Sequence, residues 1–134
     1  MAPEIFESNA STTILVVEDD PLVATYIKEV LAECGMCVAG TAASGLEALS
    51  IAAERQISLA LIDIQLTGPI DGIELACLLR DRYQVPVIFL SGLVNSTIIA
   101  RAQSAQPFAF LAKPFLPSQV FNAIERALRA TTAL

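Results

Sequence analysis

The sequence has no histidine and no tryptophan, and only three cysteines among its 134 residues. Without an imidazole, the chain has no histidine base, no histidine metal ligand and no phosphohistidine of its own. Cysteine chemistry does not fill the gap. Cys34 and Cys37 form a C-x-x-C, but a redox or metal role needs the first thiol at a helix N-terminus or a second ligand pair. Cys34 instead falls at the expected end of a helix, where the dipole disfavours a thiolate, and Cys37 enters the next strand. Both read as structural, and Cys77 as a core thiol.

Charge is scarce as well. Charged residues make up 16% of the chain, and 14 acidic against 8 basic residues leave a net charge of -6. That balance repels phosphate backbones and anionic headgroups, so no nucleic acid and no membrane is expected as a partner. No long apolar run is present either. The longest uncharged stretch, between Arg82 and Arg101, is broken by Pro86, Ser91-Gly92 and Asn95-Ser96-Thr97, whereas a membrane span needs about 20 consecutive apolar residues. The N-terminus is acidic at Glu4 and Glu7, where a secretory signal is basic. A cytoplasmic protein is expected, with a loose tail over residues 1–12 and a short one over 131–134.

Hydrophobic residues make up 54% of the chain, which excludes general disorder. The length fits one domain at roughly 100 to 200 residues per domain. Short β-branched runs alternate with helical spacing. Thr13-Ile14-Leu15-Val16-Val17 has the composition of a strand buried on both faces. Asp20 as N-cap and Pro21 then start a helix with Leu22, Val23, Tyr26, Ile27, Val30 and Leu31 on one face, closed by Gly35. The unit recurs: a strand at about 36–41, the capping box Ser44-Gly45-Leu46-Glu47, a strand at Ser58–Ile62, a helix capped by Asp71, a strand at Val85–Leu90, a helix capped by Asn95 or Ser96, a strand at Phe108–Leu111 and a helix from Pro117 to about Ala130. Five such units demand right-handed crossovers and a doubly wound α/β sandwich of three layers. Its chemistry belongs at the carboxyl ends of the strands.

The polar exceptions sit at those ends: Glu18-Asp19-Asp20 after the first strand, Asp63 after the third, Ser91 after the fourth and Lys113 after the fifth. With strand order 2-1-3-4-5, Glu18, Asp19 and Asp63 share one crevice. Each carboxylate pair there repels by roughly 4 kcal/mol at about 4 Å and an effective dielectric near 20, so cations are required. Mg²⁺ suits a site of one or two carboxylates that is completed by phosphate oxygens. Lys113 is the fixed cation. A carboxylate held between the two can attack phosphorus to give an acyl phosphate, with Ser91 offering a hydroxyl to the bound phosphoryl group.

Together these residues resemble the receiver domain of two-component response regulators, over about residues 13–130, with the CheY-like fold that this implies. Val16-Val17-Glu18-Asp19-Asp20 is similar to the family's acidic motif, which makes Asp19 a direct Mg²⁺ ligand and Glu18 the carboxylate holding metal-bound water. The resemblance makes Asp63 the phosphoacceptor, Ser91 the switch hydroxyl, Phe110 the aromatic switch, Lys113 the family lysine and Pro114 a cis proline after it. Gln65 supplies a backbone carbonyl to the metal. The implied partners are a sensor histidine kinase or phosphotransfer protein, and a downstream protein bound by the face of the fourth helix, fifth strand and fifth helix. The chain catalyses only its own phosphorylation and dephosphorylation. Alternatives are a phosphate sink or shuttle, the receiver fragment of a larger regulator, or a pseudo-receiver, although no site position is lost.

Several positions depart from the family pattern. The loop Thr67-Gly68-Pro69-Ile70 is one residue longer than usual, with its proline displaced; Glu18 replaces the commoner Asp; Gly92 stands where Ala is frequent; and Leu93 is apolar where water access is governed. A rival phosphatase of the haloacid dehalogenase type needs a second carboxylate where Gln65 stands, and an amide cannot donate and recover a proton. A flavodoxin-like cofactor module needs a phosphate loop after the first strand, where three acids stand instead.

Overall fold

The apolar runs become strands and the 3.6-spaced segments become helices in a computed structural model that describes residues 12–92 and 95–132. The elements are β1 (Thr13–Val17), α1 (Pro21–Glu33), β2 (Cys37–Ala42), α2 (Gly45–Glu54), β3 (Leu59–Asp63), α3 (Gly72–Tyr83), β4 (Val87–Ser91), α4 (Ser96–Ala102) with a 3₁₀ turn at Gln103–Ala105, β5 (Ala109–Ala112) and α5 (Pro117–Thr132). All strand pairs are parallel, in the order β2-β1-β3-β4-β5.

Alternation along the strands splits the core in two. Leu15, Val17, Ala60, Ile62 and Phe89 face α2 and α3, while Ile14, Val16, Leu59, Leu61, Ile88 and Leu90 face α1 and α5. Burying each large side chain contributes about 1.5–3 kcal/mol, and β1, β3 and β4 are buried almost throughout.

The caps follow the sequence. The Asp20 carboxylate accepts from Leu22 N–H at 3.0 Å, Asn95 Oδ1 from Ile98 N–H at 2.9 Å, and Asp71 with Glu74 forms a reciprocal capping box. At α2 the box is altered. Ser44 accepts from Glu47 N–H, but Glu47 reaches back to the N–H of Ala43 rather than to that of Ser44.

Two boundaries differ from the sequence reading in ways that concern the site. Asp63 and Ser91 do not follow their strands but end them, because the ladder runs one rung further, pairing Asp63 with Leu90 and Ser91 with Ala112. Thr12, expected in the tail, is buried and its carbonyl accepts from Cys37 N–H at 3.1 Å. The rest of that tail, residues 1–11, lies outside the described residues, as do 133–134. The Lys113–Pro114 peptide is cis. Among the described residues no helix is long and apolar enough to cross a membrane.

Candidate functional site

Because β1 and β3 are neighbours, Glu18 and Asp19 just past β1 meet Asp63 at the end of β3. One carboxylate oxygen from each lies within 4.8 Å of the others. Lys113, just past β5, reaches over β4 to place its Nζ 2.8 Å from Glu18 Oε1 and 3.2 Å from Asp63 Oδ2. Its backbone N–H donates to the Ser91 carbonyl at 2.8 Å, which ties the lysine to the end of β4. The site is buried on its inner side, where Glu18 is 3% exposed, Asp63 5% and Ser91 1%, and it opens to solvent at the half-exposed Asp19.

Backbone donors hold the remaining oxygens. Asp63 Oδ1 accepts from Gln65 N–H at 3.0 Å, and Glu18 Oε2 from Asp20 N–H at 3.2 Å. Gly72 shapes the floor. A Cβ there would sit 2.1 Å from the Asp63 carbonyl oxygen, so only glycine lets α3 start this close to the strand end.

Burial pushes the Glu18 carboxyl above its ordinary value; Lys113 and the Asp20 N–H pull it down, and the Asp63 charge adds to the rise. For Lys113, burial acts to lower the ammonium pKa, but contact with Glu18 and the Asp63 charge outweigh it and hold the pKa above its usual value.

These residues fit a divalent metal. Three carboxylates against one ammonium leave two negative charges without a partner in the pocket. Glu18 Oε1 touches Lys113 in distance but without the alignment of a hydrogen bond, so a buried oxygen keeps accepting capacity. All the donors are hard oxygens, the set that Mg²⁺ and Ca²⁺ prefer.

The expected switch residues are placed as follows. Ser91 ends β4, buried beside the backbone of Lys113, and Phe110 lies on β5 in register with Phe89. The Phe110 ring is half-buried, tilted by 40° against Phe89 with centroids 5.8 Å apart. Leu93 lies outside the described residues. None of the three cysteines is in a disulfide, and Cys37 at the start of β2 is exposed. Cys34 caps the end of α1 and burial, with the charges of Glu33 and Glu125, pushes its thiol up. Cys77 is half-buried, short of a full core position.

Two contacts were not read from the sequence. Thr67 donates to Asp19 Oδ2 from its backbone N–H at 3.4 Å and from its hydroxyl at 3.5 Å. Arg101 on α4 pairs with Asp71, the cap of α3, at 3.0 Å. The only local hint of the first was that Thr67 lies in the loop that departs from the family pattern; the second carries no local signal, because its partners lie in different units.

Residues 14–125 match the response regulator receiver domain. The chain belongs to that family. It is 33% identical over 122 residues to the phyllosphere-induced regulator PhyR of Methylorubrum extorquens, covering 90% of this chain and 45% of that protein. It is 32% identical over 124 residues to the transcriptional regulatory protein PdtaR of Mycobacterium tuberculosis, covering 90% of this chain and 60% of the relative. The chain thus spans about half the length of these relatives. Among solved structures, the signal receiver domain of a modulated diguanylate cyclase from Desulfovibrio desulfuricans G20 superposes with a TM-score of 0.87 at 32% identity, over 90% of this chain and 96% of that one. A CheY-like receiver from Methanospirillum hungatei JF-1 gives 0.84 at 26% identity, over 91% and 97%. Receiver domains are generally signalling modules rather than enzymes. They bind a divalent metal in an acidic pocket and work with histidine kinases or phosphotransfer proteins. The phosphatase and flavodoxin-like readings are thereby set aside.

Proposed function

We propose that this receiver accepts a phosphoryl group on Asp63 from the phosphohistidine of a sensor kinase or phosphotransfer protein, in a Mg²⁺-dependent reaction in the cytoplasm. The observation that carries the reading is the Asp63 carboxylate, nearly buried at the end of β3, between the Lys113 ammonium and the acids Glu18 and Asp19.

These 134 residues contain no histidine, so the donor imidazole lies outside them. A carboxylate oxygen of Asp63 attacks phosphorus, the P–N bond breaks, and its electron pair returns to the donor nitrogen, leaving an acyl phosphate. Lys113 Nζ, 3.2 Å from Asp63 Oδ2, takes up negative charge on the transferred group without needing to move. Ser91 offers it a hydroxyl. Asp19, Asp63, Glu18 and the Gln65 carbonyl are the groups to hold Mg²⁺, which when bound supplies positive charge against the phosphoryl oxygens. The chain catalyses only its own phosphorylation and dephosphorylation.

Output goes through protein contact on α4, β5 and α5. Once Asp63 is modified, Ser91 is drawn to a phosphoryl oxygen and Phe110, half-buried beside Phe89, moves further inward, so that a charge event becomes a packing event.

The test is intact-mass analysis of the chain after incubation with acetyl phosphate and Mg²⁺. The expected result is a gain of one phosphoryl group, absent in Asp63→Asn and in EDTA. Labelling that survives either change overturns the reading.

A further inference from the structure

Of the three clustered carboxylates, Asp19 alone lacks a cation. Glu18 and Asp63 each face Lys113 and each accept a backbone N–H. Asp19, half-exposed beyond the β1 ladder, receives both of its hydrogen bonds among the described residues from Thr67, and both fall on Oδ2. Its other oxygen carries no such bond.

Thr67 reaches Asp19 because of the loop that departs from the common pattern. Gln65 and Thr67 are two residues apart in the connection from β3 to α3, and their N–H groups donate to Asp63 and Asp19 respectively. Alternate N–H groups of one segment thus hold two of the three acids. Gly68, at φ 103°, turns the chain immediately afterwards in a conformation that side chains rarely adopt. A proline at 67 would have no N–H to give, so the backbone half of the contact depends on the residue that stands there.

We propose that Thr67 is a positioning residue that sets the divalent-metal affinity of the pocket, by fixing Asp19 through Oδ2 and leaving Oδ1 to the ion. The inference rests on the reading of this pocket as a metal-dependent phosphoacceptor site. Fixing the carboxylate before the ion arrives removes rotamer entropy that metal binding otherwise has to overcome. The donors lie at the long end of hydrogen-bond range, so the restraint is modest and the expected effect is about threefold to tenfold in affinity.

The experiment is calorimetric titration of the whole chain with Mg²⁺, for wild type, Thr67→Ser, Thr67→Val and Thr67→Pro, alongside the metal-free melting temperature of each. Thr67→Ser keeps both donors and stays within about twofold of wild type. Thr67→Val loses the hydroxyl and binds more weakly, and Thr67→Pro loses both donors and binds weakest. If the proline variant melts early, the Val–Ser pair carries the result, since both keep the N–H. Equal affinities across the series overturn the proposal. So does tighter binding in Thr67→Val, which makes Thr67 a competitor of the ion. A wild type that binds no Mg²⁺ overturns the metal-dependent reading together with this one, whereas a flat series on a metal-binding wild type overturns this one alone.

Discussion

The two walls of the pocket are built differently. On the β1–β3 side every functional group is held. Both strands are buried almost throughout, Glu18 and Asp63 share Lys113, backbone N–H groups fix their second oxygens, and Gly72 lets α3 start against the Asp63 carbonyl. On the β4–β5 side Ser91 is buried, but the elements beyond it are thinly anchored. β5 is a four-residue edge strand with no fully buried position, and α4 is a seven-residue helix whose buried residue is Ala102. Polar links tie α4 and its 3₁₀ turn to α3: Arg101 to Asp71 at 3.0 Å and Arg80 to the Ser104 carbonyl at 3.0 Å. Between these helices lies a cavity of about 650 Å³, lined in part by Ile73, Cys77 and Ala100. Segments with few buried apolar contacts open at low free energy. In the proposed function the phosphoacceptor and the metal-holding acids therefore sit on the better-anchored wall, and output goes through the thinner one.

The sharpest way to break this contrast is to remove the side chain that the end of β5 sends across to the fixed wall. Lys113→Ala removes the ammonium shared by Glu18 and Asp63. It should slow phosphorylation by about 100-fold, the scale of losing one preorganised charge-stabilising donor. It also leaves Glu18 buried without its partner, at about 2 kcal/mol of stability. Phosphorylation kinetics with acetyl phosphate and urea denaturation read the two effects, and an unchanged rate removes Lys113 from the mechanism.

The metal order is a smaller effect on the same wall. Asp19→Ala should weaken Mg²⁺ binding by about tenfold or more and Glu18→Ala by less, if Asp19 is the direct ligand and Glu18 acts through water as the proposed reading has them. Calorimetry is the measurement, since the chain has no tryptophan to report. Equal losses count against the assignment.

The smallest effects belong to the thinly anchored wall. Beryllofluoride should alter amide exchange across residues 95–130 while leaving β1 and β3 unchanged. Arg101→Ala should speed exchange in α4 about twofold while costing about 0.5 kcal/mol, the scale of an exposed ion pair. Protection that changes equally on both walls, or on neither, removes the distinction.

Much of this was legible in the chain because its signals are local. Asp20-Pro21, Asp71 with Glu74, and the run from Thr13 to Val17 name their elements through side chains that act on their own backbone neighbours. The right-handed crossover rule then narrows the topology to a doubly wound sheet, and within it the observed order β2-β1-β3-β4-β5 brings Glu18, Asp19 and Asp63 together. Where the sequence reading slipped, at the last rungs of β3 and β4, a ladder is closed by the neighbouring strand rather than by the residue's own segment.

The amino-acid order by itself determined the fold class, the acids, the hydroxyl and the lysine of the pocket, because each follows from periodicity or from position at a strand end. Only the tertiary structure decided how the pocket is wired: that Lys113 bridges Glu18 and Asp63, that Thr67 reaches Asp19, and that Arg101 ties α4 to the cap of α3. Thr67 and Asp19 are 48 residues apart in sequence, and Lys113 and Asp63 are 50. Such contacts leave no period in the chain, because the distance between their side chains is set by how whole strands and helices pack.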